Sequence, residues 1–363
     1  MDNGQLNYYT NPEHLDSMVE FAKDYAIQVL VSCPEEANKK WIPKKDRTCR
    51  FCKKRMPEVN FKMDAHLIPQ FLGNKNLICQ DECDTCNSRF STFETDLSAY
   101  LGPLNSLFSR EGKKNRVPKF NVPGSPLSAK PTVMYGAKVT EVENEGMPME
   151  VNITTGSAKL SYKKSPYTPI NVYKILCKMA YCLLPESEIA HDDPLRIFLL
   201  GNSLDQHFSI FATVQEYTLP LDYPRPEIRM FKRVTASTKL ISHVCMLYFG
   251  NMMFEFLLPG NICDDYMKGK VDLQQKFCPP FFFQPYRHAP FFSNKVDFTS
   301  LEKRKAEEGF IYLNFDPGQL KNLKGYDTIN ERWTDKNLAD NEIVKLIFGK
   351  MDTEMKFPDK PMG

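Results

Sequence analysis

An α+β fold is predicted by three features of the sequence. Residues 11–32 repeat apolar side chains at helical spacing, residues 45–105 are dense in cysteine and lysine, and short alternating runs broken by turns follow residue 131. In "NPEHLDSMVEFAKDYAIQVLVS", Asn11 suits a helix N-cap, Pro12 the first helical position, and Glu13 the positive end of the helix dipole. Leu15, Met18, Val19, Ala22, Tyr25, Ala26, Val29 and Leu30 would form its buried face. After Cys86, "NSRFSTFETDLSAYLGPLNSLF" again has helical spacing through Phe90, Phe93, Leu97 and Leu101. "SREGKKNRVPKFNVPGSPLSAKP" (109–131), rich in Pro, Gly, Ser and Lys, reads as a basic linker.

Beyond it, "PTVMYGAKVTEVE", "MEVNITTG" and "AKLSYKK" read as strands, and "PINVYKILCKMAYCLLPESEIA" as a buried helix. "DDPLRIFLLGN" reads as a second helix capped by Asp193 with Pro194 at its first position. "FSIFATVQEY", "EIRMFKRVTA", "KLISHVCMLYFG" and "MMFEFLLP" read as further strands. The tail holds an aromatic cluster ("PPFFFQPYRHAPFF") and two predicted helices, around "SLEKRKAEEG" and "NLADNEIVKLIFGKM". The expected partition is therefore 1–108, a linker at 109–131, and a larger mixed α+β domain at 132–363. No internal repeat is visible.

A chain of 363 residues with 42% hydrophobic residues can bury a substantial core, which excludes a disordered chain. No run approaches the roughly 20 apolar residues of a membrane span. The first residues lack the basic and apolar regions of a secretory leader, so a cytoplasmic protein without membrane association is expected. The net charge of +2 conceals a concentration: residues 39–62 carry ten Lys/Arg against Asp46 and Glu58, and "REGKKNRVPK" adds another basic stretch. Such clustering steers phosphates, although a solvated lysine-rich face would look the same. Lys44, Lys45, Arg50, Lys53, Lys54, Arg55, Arg89, Lys113, Lys114 and Arg116 are the candidate nucleic-acid contacts.

Cys49-x-x-Cys52 and Cys83-x-x-Cys86 each offer two thiolates to one tetrahedral ion, and Zn²⁺ accepts four. A closed site of this kind is structural and staples a segment too small for its own core. The alternative is four uncoupled thiols. Cys79, beside Leu77 and Ile78, is the decoy, and the remaining cysteines sit mostly in apolar runs. His14, His191, His207, His243 and His288 lack metal spacing, and Trp41 and Trp333 are isolated.

With the zinc filled by cysteines, His66 needs another role. The run "AHLIPQFLGNKNL" followed by "CDTCNSRF" resembles the HNH endonuclease family in its zinc-stapled ββα-metal form. The order of CxxC, His-Leu-Ile-Pro, Asn-Leu and CxxC-Asn carries the likeness, over residues 47–105. The longer "ECDTCNSRFSTFETDLSAYLGPL" is similar to a bacterial branch of such nucleases. The resemblance implies two strands through "VNFKMDAHLI" and "NLICQ" and a helix starting near Cys83–Cys86. It implies His66 as general base, Asn76 as the loop residue that orients it, and Asn87 as a ligand of a catalytic Mg²⁺ or Mn²⁺. Many family members place an acidic residue directly before this histidine, where the chain has Ala65. Asp64, on the face of His66 in a regular strand, is the expected substitute ligand, with Asp84 and Glu94 behind it. Each residue also has a bland reading: a turn histidine, a turn asparagine, a helix-capping asparagine.

The implied function is phosphodiester hydrolysis in nucleic acid, foremost double-stranded DNA, in the setting of bacterial defence or mobile elements. A non-catalytic zinc-knuckle binding protein and an RNA-directed nuclease are the alternatives. Residues 132–363 would choose a target, bind a signal ligand or partner protein, or form a homo-oligomer.

Overall fold

The computed structural model describes residues 9–34, 42–112, 116–134, 137–144, 149–152, 154–189, 193–201, 205–236, 239–259, 275–285, 292–314, 325–327, 332–334 and 345–349. In chain order the helices are α1 (Leu15–Ala22), α2 (Asp84–Leu101), α3 (Leu104–Leu107), α4 (Pro169–Tyr181), α5 (Pro194–Leu200) and α6 (Asp205–Ser209). The strands are β1 (Tyr25–Ser32), β2 (Phe120–Asn121), β3 (Leu127–Met134), β4 (Ala137–Asn144), β5 (Glu150–Asn152), β6 (Ser157–Lys163) and β7 (Thr213–Arg233). They continue as β8 (His243–Leu258), β9 (Phe292–Asp297), β10 (Glu308–Asn314), β11 (Gly325–Asp327), β12 (Arg332–Thr334) and β13 (Lys345–Gly349). The fold is mixed α+β, as expected.

Two compact units emerge, and they do not follow the linear partition at 108 and 131. One joins Met1–Leu97 to Tyr167–Lys303, and the other joins Ser98–Pro166 to Arg304–Gly363. In the first, an antiparallel sheet runs β1-β7-β8, with β9 also on β7. Strand β8 is buried along almost its whole length, so its sequence is a nearly continuous apolar run rather than an alternation. Helix α4 packs on it: Tyr173 Oη donates to Leu257 O at 3.0 Å, and every helix residue but Asn171 is buried. The register of β7 against β8 shifts between Thr218 and Tyr223 and again before Glu227, where Pro220, Pro224 and Pro226 cannot donate to a ladder. Buried Arg229 of β7 anchors part of the aromatic cluster. It donates to Phe281 O at 2.6 Å and lies 4.0–4.5 Å from the ring centroids of Tyr248, Phe281 and Phe283.

In the second unit, sheets β13-β4-β3-β2 and β10-β6-β5 share a core that includes Leu127, Val142, Leu160 and Tyr162.

Four local expectations are corrected. The helix predicted over 11–32 stops at Ala22, and Tyr25–Ser32 is a strand paired with Arg233–Glu227. The β-branched Ile27, Val29 and Val31 favour this, and pairing with β7 gives the backbone on one edge of the strand its partners. The "linker" contains β2 and the start of β3, paired through Phe120↔Ala129. The charged "SLEKRKAEEG" is not helical; Glu308 begins β10, which pairs along β6. Lys345–Gly349, expected in a helix, is β13 against β4.

Candidate functional site

The cysteine segment folds as two short strand-like passages followed by α2. His66 and Ile78 form an antiparallel bridge, flanked by Leu67 N donating to Leu77 O at 3.0 Å and Cys79 N to Ala65 O at 2.7 Å. Ala65, Leu67 and Ile68 are buried, whereas His66 is half-buried and Asp64 exposed. The alternation puts Asp64 and His66 on the outward side, as their spacing predicts.

The four sulfurs of Cys49, Cys52, Cys83 and Cys86 all lie within 4.8 Å of one another, with Cys49–Cys86 and Cys52–Cys83 both at 3.7 Å. Zn–S bonds of about 2.3 Å place tetrahedral sulfurs about 3.8 Å apart, so the donor set fits zinc in chemistry and in size. The thiols influence one another: the hydrogen bond shared with Cys86 pulls the Cys49 thiol down to about 5, and burial pushes Cys83 up to about 12. Cys83 and Cys86 flank and enter the first turn of α2, where helix N–H groups favour negative charge.

The loop between the strands is governed by Asn74, which the sequence reading passed over for Asn76. Asn74 is fully buried; its Nδ2 donates to Ile68 O (2.7 Å) and Leu77 O (2.9 Å), and its Oδ1 accepts from Asn76 N (3.1 Å) and Leu77 N (2.8 Å). The side chain of Asn76 instead donates to Pro34 O at 3.3 Å. Asn74 thus holds the loop through four hydrogen bonds. The signal was Gly73: its φ of +106° turns the chain inward, and a Cβ there would sit 2.7 Å from Pro224 O.

Asp84 is likewise occupied, accepting from Lys62 N (3.1 Å) and Met63 N (2.9 Å), which ties α2 to the first strand. Asn87, half-buried, donates its N–H to Cys83 O at 2.9 Å in the first turn of α2. Among the described residues, clusters of three or more His, Cys, Asp or Glu ligands number two: the zinc-type site and Cys79–Glu82–Cys182. Neither contains Asp64 or His66. An ion held by Asp64 and Asn87 would have oxygen donors, the type that suits Mg²⁺ or Mn²⁺.

A second set of contacts, missed in the sequence, fixes the segment to the end of α4. Lys178 Nζ lies 2.8 Å from Glu82 Oε2 and donates to His66 O at 2.9 Å. Arg50 pairs with Asp81 at 2.6 Å and donates to Leu184 O at 2.9 Å. Cys79 and Cys182 bring their sulfurs to 3.1 Å, and that contact and burial together push the Cys79 thiol far up.

Arg50 is therefore engaged as an internal brace. Lys44, Lys45, Lys54, Arg55 and Arg89 are exposed, and Lys53 is half-buried. Arg89 stands at a cleft of about 350 Å³ lined also by Phe93, Leu200 and Gly201. Arg116 is exposed within the second unit, whereas Lys113 and Lys114 fall outside the described residues.

Comparison with known families matches residues 49–98 to the family described as HNH endonuclease. This segment is an HNH module. Its limits enclose all four cysteines, the His66 hairpin and most of α2. No curated protein and no solved structure matches the chain. No helix among the described residues is long and apolar enough to cross a membrane.

Proposed function

We propose that the protein is a metal-dependent endonuclease that hydrolyses phosphodiester bonds in double-stranded DNA. The observation that carries this reading is His66, half-buried on the outward side of an HNH hairpin whose loop is pinned by Asn74. Its imidazole takes the proton from the attacking water, the general-base role in which histidine is most often found. The Asp64 carboxylate and Asn87 amide oxygen would hold a divalent ion, which when bound would neutralise charge on the phosphate and the departing oxygen. Exposed Lys44, Lys45, Lys54, Arg55 and Arg89 draw in the DNA backbone, so binding weakens steeply with salt. A role in bacterial defence or mobile-element biology is supported by the family resemblance. Target choice, signal binding or oligomerisation belongs, in this reading, to residues 132–363.

The test is cleavage of supercoiled plasmid with Mg²⁺, Mn²⁺ or EDTA by the zinc-loaded wild type and His66→Ala. Metal-dependent nicking, abolished in the variant at unchanged zinc content, is expected. Equal cutting by both proteins removes His66 as base. Cutting of structured RNA alone, or tight binding with no cutting of either polymer, favours the RNA-directed nuclease or the non-catalytic zinc-knuckle protein instead.

A further inference from the structure

We propose that Lys178, eighty residues beyond the matched segment in sequence, is a positioning residue for His66. The proposal rests on the reading of His66 as the base. In the hairpin, Ala65 O and Leu67 N face the second strand, where Cys79 N and Leu77 O meet them. The carbonyl of His66 points to the opposite edge by the alternation of a strand, and there Lys178 Nζ donates to it at 2.9 Å. The same ammonium is 2.8 Å from Glu82 Oε2, and the two side chains are 1% and 0% exposed. Glu82 directly precedes Cys83. One buried cation thus joins the backbone of His66 to the zinc knuckle and both to the last turn of α4.

A buried ion pair is a poor route to stability, since an apolar pair of similar volume serves as well or better. It can do something an apolar pair cannot, which is to fix one carbonyl in place and direction. Proton abstraction depends on such placement, because a shift of about 1 Å at the reacting group can lower rate about 100-fold. Lys178 touches neither water nor phosphate in this scheme and acts only through the main chain of His66.

The experiment uses the full, zinc-loaded chain carrying Lys178→Met with Glu82→Gln, which removes both charges without leaving one buried alone. Plasmid cleavage, zinc content and amide hydrogen exchange are measured beside wild type. The expected result is kcat lowered by about 100-fold with KM unchanged. Zinc stays bound, and exchange at Leu67 and Cys79 is faster by about tenfold. Unchanged kcat with unchanged exchange overturns the proposal, and so does a fall in activity that follows zinc loss. A variant that does not fold is replaced by Glu82→Gln alone, which leaves the ammonium in place but without its anchor, and is read the same way. A wild type that cuts nothing defeats the nuclease reading only. The exchange rates then still uphold or overturn the tether.

Discussion

The HNH module and the β7–β8–α4 layer belong to one compact unit but are held together by different means. The module has isolated bridges at Thr48↔Arg55 and His66↔Ile78, one long helix and a set of side chains with individual duties: four sulfurs, Asn74, Asp84 and Arg50, braced by Lys178 from α4. The layer relies on a buried strand and a buried helix in which many apolar residues share the work. The first kind of order should fail abruptly when one atom is removed. The second should respond to volume and tolerate exchange of like for like.

The largest effect expected follows from Cys83→Ser. With one thiolate gone the closed site no longer holds zinc, and the module should unfold while the β7–β8 sheet persists. Metal analysis and amide exchange along 49–98 check this; retention of a full zinc equivalent would break the contrast. Next comes a matched set. Phe254→Ala in β8 should cost about 3–5 kcal/mol, whereas Phe254→Leu should cost less than about 1.5 kcal/mol. Asn74→Ala should cost about 2–3 kcal/mol, because buried carbonyls and N–H groups lose their partners. Asn74→Asp should do no better, since a carboxylate cannot donate to Ile68 O and Leu77 O. Denaturant titrations that found the Asp variant near wild type would erase the distinction.

The smallest effect concerns a polar contact made to the layer by Glu188. Glu188 accepts from Gln28 of β1 at 2.7 Å and lies 2.7 Å from Lys232 of β7 and 3.0 Å from His243 of β8. These partners, His243 first, hold its carboxyl at about 2 instead of the ordinary 4.5. Its folded pKa is depressed, so its stabilisation is complete above about pH 4.5 and lost as pH falls towards 2. Glu188→Gln should therefore show a flatter loss of stability across that acid range than wild type. Parallel curves would assign the acid sensitivity to other groups.

The same contrast explains what could be read from the sequence. The zinc set was legible because thiol spacing is itself geometry, and the hairpin and α2 because the motif orders His66, the loop and Asn87 along one short stretch. Helix α4 was legible from its apolar run, and the α5 cap from Asp193-Pro194, where Asp193 does accept from Leu195 N at 3.0 Å. Residues 25–32 were not, because apolar side chains there satisfy both helical spacing and an edge strand, and only β7 decides between them. Asn74 and Asn76 differ by burial, which depends on the turn at Gly73. Lys178 carried no local signal at all: inside an apolar helix it looks like a solvated lysine, and its partner is Glu82, distant in sequence.

The close of α4 against the module bears on where the protein can be cut. Arg50 donates to the carbonyl of Leu184, and Lys178 reaches His66 and Glu82. Shortened to residues 49–98, the polypeptide would keep every residue of the HNH motif, yet leave Glu82 without its cation and Arg50 without its carbonyl acceptor. The smallest portable unit is therefore larger than the matched segment. A transplant would have to bring the helix along.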